Sequence, residues 1–110
     1  MTAYQTKLVL HIPHYAWENE RLVKIDHASF KAYIGEQLTK VGIISWYTTM
    51  ACGYYKGREF DEELLTVFCD ESMKDDITEI FKHAYFDMRA LMRQEAFAYE
   101  CNGTLCITEL

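Results

Sequence analysis

Ser45–Asp70, SWYTTMACGYYKGREFDEELLTVFCD, is the stretch whose reading decides the fold. Trp46, Tyr47, Thr48, Thr49, Tyr54 and Tyr55 are aromatic or β-branched, types that suit a pleated surface. Lys56-Gly57 interrupts them, and Gly accepts positive φ, so this dipeptide reads as a turn. Leu64–Cys69 is then a short apolar run bounded by charge, the pattern of a central strand. Alternation puts Leu65, Val67 and Cys69 on one face and Leu64, Thr66 and Phe68 on the other. Both faces therefore need cover. Helices suit one; the other calls for a second copy, a partner or a flanking segment. Gly53, inside the first strand, signals a bulge or a close backbone approach.

Towards the N-terminus, Lys7–Pro13 alternates and Pro13 closes it, which predicts a strand. His14–Lys24 reads as an aromatic loop. Asp26 is placed to cap a helix, with Ile25 stapling to Phe30 and Phe30, Ile34, Leu38 and Val41 as its buried stripe. Gly42 ends it. Beyond the hairpin, Ser72 is expected to cap a second helix from Met73 to Arg93, roughly 30 Å long at 1.5 Å per residue. Glu95–Leu110 reads either as a hairpin on Asn102-Gly103 or as a final strand from about Leu105, with Ala96–Cys101 partly extended. The final strand is favoured. The order strand, helix, strand, strand, helix, strand predicts one α+β domain over residues 1–110. It is a ferredoxin-like βαββαβ sandwich, an antiparallel sheet with both helices on one face. Right-handed crossovers put the first and third strands, the two most apolar, in the centre.

The net charge of −6 is unevenly spread. Glu59–Glu79 holds nine acids and one base, Lys74, so the rest of the chain is about +2. Free duplex nucleic acid is not an expected partner, because phosphate binding relies on Lys and Arg. No apolar run is long enough for a bilayer and no signal-peptide pattern opens the chain, so no membrane partner and a cytoplasmic location are expected. The four cysteines then read as reduced thiols, with Cys52 and Cys69 as small core residues.

Three segments resemble those of short ferredoxin-like proteins of unknown function from bacteria, phages and other mobile elements. They are the strand LVLHI (Leu8–Ile12), the hairpin GYYKGREFDEELLTVF (Gly53–Phe68) and RQEAFAYE (Arg93–Glu100). The resemblance implies the fold and a mobile-element setting. It brings no activity and no catalytic residues.

No nucleophile elbow, P-loop or dinucleotide fingerprint occurs. His11 and His14 lie three apart on a strand and so face opposite ways; no metal and no cofactor are expected. Glu79, His83 and Asp87 form a helical stripe best read as a solvated face. The aromatic residues stand out instead. Tyr54, Tyr55, Lys56 and Arg58 at the hairpin tip, and His14, Tyr15 and Trp17 in the first loop, have the make-up of binding surfaces. Strand directions are read as placing loop and tip at opposite ends of the sheet. Glu59, Asp61, Glu62 and Glu63 form an acidic cluster that could mimic phosphate, and Val9, Leu64 and Phe68 a dimer or partner face. The favoured reading is a small acidic binding protein, a phage or mobile-element inhibitor of host defence, anti-CRISPR-like or sequestering a nucleotide signal. Its partner would be a protein or a small nucleotide. The alternatives are a small enzyme with His14 or His83 as acid–base in a cleft between the first loop and the hairpin, or a structural homodimer.

Overall fold

In the computed structural model, which describes residues 1–110, β1 (Thr6–Pro13) runs through the middle of a five-stranded sheet. Its neighbours are β5 (Arg58–Cys69) and β6 (Ala96–Cys101); β4 (Tyr47–Tyr55) and β7 (Thr104–Glu109) are the edges. Every pairing is antiparallel, in the order β4-β5-β1-β6-β7. The helices α1 (His27–Lys40), α2 (Lys74–Asp87) and the single-turn α3 (Arg89–Met92) supply the cover for the face carrying Leu8, Leu10, Ile12, Leu65 and Val67. Phe30, Ile34 and Leu38 from α1 and Ile77, Phe81, Ala84 and Tyr85 from α2 complete this core. The chain is thus an α+β protein, and no helix is long and apolar enough to cross a membrane.

The expected βαββαβ order is present with additions. Three of the expected strands lie as β4-β5-β1, but the place beside β1 is taken by β6, over the stretch expected to be only partly extended, and the expected final strand is β7, at the edge beyond it. Asn102 and Gly103 both take positive φ (50° and 85°), so the last stretch is the hairpin and not the single final strand. The expected loop at 14–24 is also a hairpin: β2 (Tyr15–Glu18) pairs with β3 (Arg21–Lys24) across Asn19-Glu20, again both at positive φ. Asn tolerates that region, but Glu does not signal it, so the turn was hidden in the sequence.

Asp26 caps α1 as expected, accepting from the Ser29 N–H at 3.1 Å and its hydroxyl at 2.6 Å. Gly42 follows the helix at φ 87°, but the last helical residue is Lys40, so Val41 lies beyond the stripe and is exposed. The long second helix is broken. A 3-10 turn, Glu71–Met73, precedes α2, Ser72 caps nothing, and the chain kinks at Met88 before α3. Arg93 then turns left-handed at φ 51°, which ends α3 and redirects the chain into β6.

Candidate functional site

β5 is twice the expected length: pairing runs from Arg58 to Cys69 without a break. The pleat therefore splits the acidic cluster. Glu59, Asp61 and Glu63 point to the helix side, and Glu62 points to the open face with Leu64, Thr66 and Phe68. There is no single acidic surface.

On the open face the register brings Glu62 beside β1 and sets Glu100 of β6 opposite Val9. His11 sits between the two carboxylates. Its Nε2 lies 2.8 Å from Glu100 Oε2 and its Nδ1 3.5 Å from Glu62 Oε1. Both ring nitrogens can donate at once only in the imidazolium. Glu62 accordingly raises the His11 pKa above the ordinary 6.5; burial opposes this and Glu100 adds to it. On the other side of the strand, Tyr85 donates to the His11 carbonyl at 2.6 Å, which ties the site to α2.

Two residues further along each strand, on the same face, a cleft of about 280 Å³ opens. Pro13 follows His11 and Phe60 precedes Glu62, each about 7 Å away along its strand. Tyr15 and Trp17 of β2 and Tyr55 and Lys56 of the β4–β5 tip complete the walls. Trp17 and Tyr55 meet edge to face at 5.7 Å, and Lys56 Nζ stands over both rings, at 5.6 and 5.4 Å. Arg93 and Gln94 close the far side. Arg93 pairs with Glu18 at 3.0 Å, and Gln94 donates to the Tyr15 carbonyl at 3.0 Å, so the small hairpin is pinned in place.

Loop and tip therefore form one surface, not two. β5 lies between β1 and β4 and is antiparallel to both, so β1 and β4 run the same way. The β4–β5 tip must then emerge at the end where β1 leaves the sheet. Within the expected set, Tyr15, Trp17, Tyr55 and Lys56 come together. Tyr54 projects from the opposite face and Arg58 stays in solvent at the tip.

His14 is not in this cleft. Alternation turns it to the helix side, where its ring stacks on His27 with centroids 3.4 Å apart and its Nε2 lies 3.0 Å from Glu63 Oε1. Glu63 is only 5% exposed, and Lys31 Nζ holds its other oxygen at 2.9 Å. Burial pushes the Glu63 carboxyl up, but Lys31 and then His14 outweigh it and leave it below the ordinary 4.5. Burial, and next the charge of His14, lower His27. His83 is exposed on α2, 3.4 Å from Glu79, and does not line the cleft.

The residues missed by sequence reasoning are His11 as a site residue, Glu100, Arg93 and Gln94. A histidine inside the apolar run LVLHI was the available signal. Glu100 gives none, because Ala96–Cys101 reads in sequence as only partly extended. Of the expected partner face, Val9 is covered at 6% exposure, while Phe68 is 45% exposed. Tyr47, Leu105 and Ile107, from the two edge strands, are exposed on the same side. Cys52 is exposed, not core, because β4 overhangs the helices; its Sγ lies 2.6 Å from Glu59.

No protein-family model matches the chain, and no curated protein matches it in sequence. Solved structures do match over nearly its whole length. A phage SAM lyase in complex with S-methyl-5'-thioadenosine is 14% identical, with a TM-score of 0.53 over 96% of this chain and 88% of the other. A phage SAM lyase in its apo state is 13% identical, with a TM-score of 0.55 over 97% and 89%. At these identities the likeness shows the fold alone, and the phage source of both accords with the expected mobile-element setting. It also overturns the reading of the chain as a binding inhibitor: the matching proteins are lyases, so the enzyme alternative is the better supported one.

Proposed function

We propose that this protein is a small enzyme that cleaves S-adenosylmethionine, a lyase on a ferredoxin-like core. The observation that carries the reading is one continuous surface. A cleft with aromatic walls, of a size for a nucleoside, lies about 7 Å along the strands from the His11–Glu62–Glu100 group. Trp17 and Tyr55 offer the faces on which an adenine can stack. Lys56, already over those rings, is placed to meet the carboxylate end of the substrate or the ribose oxygens.

The chemistry suits the groups at hand. A sulfonium leaves as a neutral thioether, so the departing group needs no acid. The C–S electron pair stays on sulfur, and the carbon left behind is satisfied either by the substrate's own carboxylate, closing a lactone, or by loss of a neighbouring proton to a carboxylate of the site, leaving an alkene. Glu62 and Glu100 supply negative charge, and His11 between them orients both and balances their mutual repulsion. This replaces His14 with His11 as the histidine of the site.

The test is to incubate the tag-free protein with S-adenosylmethionine and follow S-methyl-5'-thioadenosine by chromatography and mass spectrometry. Product should form, and Glu62→Gln or Glu100→Gln should lower kcat by ~10²-fold or more, the usual size of a lost acid–base group. Trp17→Ala should raise KM with less effect on kcat. If micromolar protein leaves millimolar substrate intact over hours, the activity is refuted. If product forms equally with both Gln variants, the activity stands and this site does not.

A further inference from the structure

We propose that His14, His27 and Glu63 form a binding site for one zinc-class divalent cation, on the helix side of the sheet and separate from the cleft. The three residues come from the bend just after β1, the first turn of α1 and the middle of β5. One ligand atom from each lies within 4.8 Å of the others.

The spacing fits a metal better than it fits hydrogen bonding. With bonds of about 2.0–2.1 Å, neighbouring ligand atoms of a tetrahedral zinc site lie about 3.4 Å apart. Glu63 Oε1 is 3.0 Å from His14 Nε2 and 3.7 Å from His27 Nε2, so the two edges bracket that value. The first edge is also a good hydrogen bond. The second is too long for one; the buried atom of His27 without a partner is its other ring nitrogen, Nδ1, which a cation on Nε2 would not reach. His27 therefore packs against a carboxylate without bonding to it. A cation shared with Oε1 would give Nε2 the partner it lacks.

The two imidazoles are stacked within 11° of parallel, so uptake of an ion must tilt them apart until both in-plane lone pairs converge on it. Lys31 holds Oε2 and not Oε1, so it can orient the ligating carboxylate as an outer partner. Two His and one Glu is a donor set that zinc enzymes use with water as a fourth ligand. Here the cation would clasp β1, β5 and α1, and it would fix Tyr15 and Glu62, each the chain neighbour of a ligand.

Tag-free protein, stripped with a chelator, should take up one Co²⁺ per chain with the intense visible bands of a tetrahedral site, and Zn²⁺ should displace it. His14→Ala, His27→Ala and Glu63→Gln should each weaken uptake by at least ~10-fold, the loss usual even for outer-shell changes. Each variant is first checked for cooperative melting in chelator. Because Glu63→Gln can unsettle the fold, imidazole NMR of the wild type supplies a second readout. Zn²⁺ should shift the ring signals of His14 and His27 and leave those of His11 and His83 in place. No uptake by the wild type, equal uptake by the His27→Ala variant, or shifts at His11 or His83 alone would each overturn the site.

Discussion

His11 shows how one side chain can be ordinary in sequence and decisive in place. It stands in an apolar strand because both its nitrogens find carboxylates across the sheet, at 2.8 and 3.5 Å. A group whose pKa is raised on folding stabilises the fold fully below its unfolded value, near 6.5, and loses that contribution as pH rises through the folded value. The difference in unfolding free energy between wild type and His11→Asn should therefore shrink on going from pH 6 to above the folded pKa. Its size should be below about 1 kcal/mol, because the ring is partly open to water. Urea unfolding at a series of pH values measures this, and a difference that grows with pH would contradict the assignment.

At the scale of the element, the β4–β5 hairpin is held by a contact its sequence only hints at. A Cβ placed on Gly53 would lie 2.5 Å from Phe60 Cζ, so the glycine makes room for the ring that floors the cleft. No bulge is involved; pairing runs straight through Gly53 and Phe60. Gly53→Ala is expected to cost about 1–3 kcal/mol, the range for overpacking, and to disturb substrate binding. In a Phe60→Ala background the same change should cost much less, since the clash is gone. A double-mutant cycle on thermal melting reads the coupling, and additive costs would mean the ring is not what excludes a side chain there.

For the whole molecule, the consequence is that the first hairpin and the β4–β5 tip act as one. Trp17→Ala and Tyr55→Ala should each raise KM for S-adenosylmethionine, and the double variant should raise it by less than the product of the two. Independent, multiplicative effects would place the rings in separate sites. We also propose that the open face self-associates. Phe68, Tyr47, Leu105 and Ile107 leave exposed apolar area on it, which soluble monomers rarely keep. Phe68→Asp should then turn an associated wild type into folded monomers in sedimentation velocity. A wild type that sediments as a monomer at tens of micromolar would remove this expectation.

The sequence by itself determined what depends on neighbours along the chain. Alternation in Lys7–Pro13 and Leu64–Cys69, the Asp26 cap, the Gly42 stop and the Lys56-Gly57 turn are local preferences, and each is found where it was read. From these came an α+β chain with β1 and β5 at the centre. Tertiary structure decided the rest. Asn19-Glu20 turns because β2 and β3 pair and are pinned by Arg93 and Gln94, and β5 extends back to Arg58 because β4 offers it a full ladder. The site belongs wholly to this second class. His11, Glu62 and Glu100 are far apart in the chain, and only the register of three strands sets them side by side. Two-residue periodicity fixes which face a side chain takes, but not which strand lies next to it.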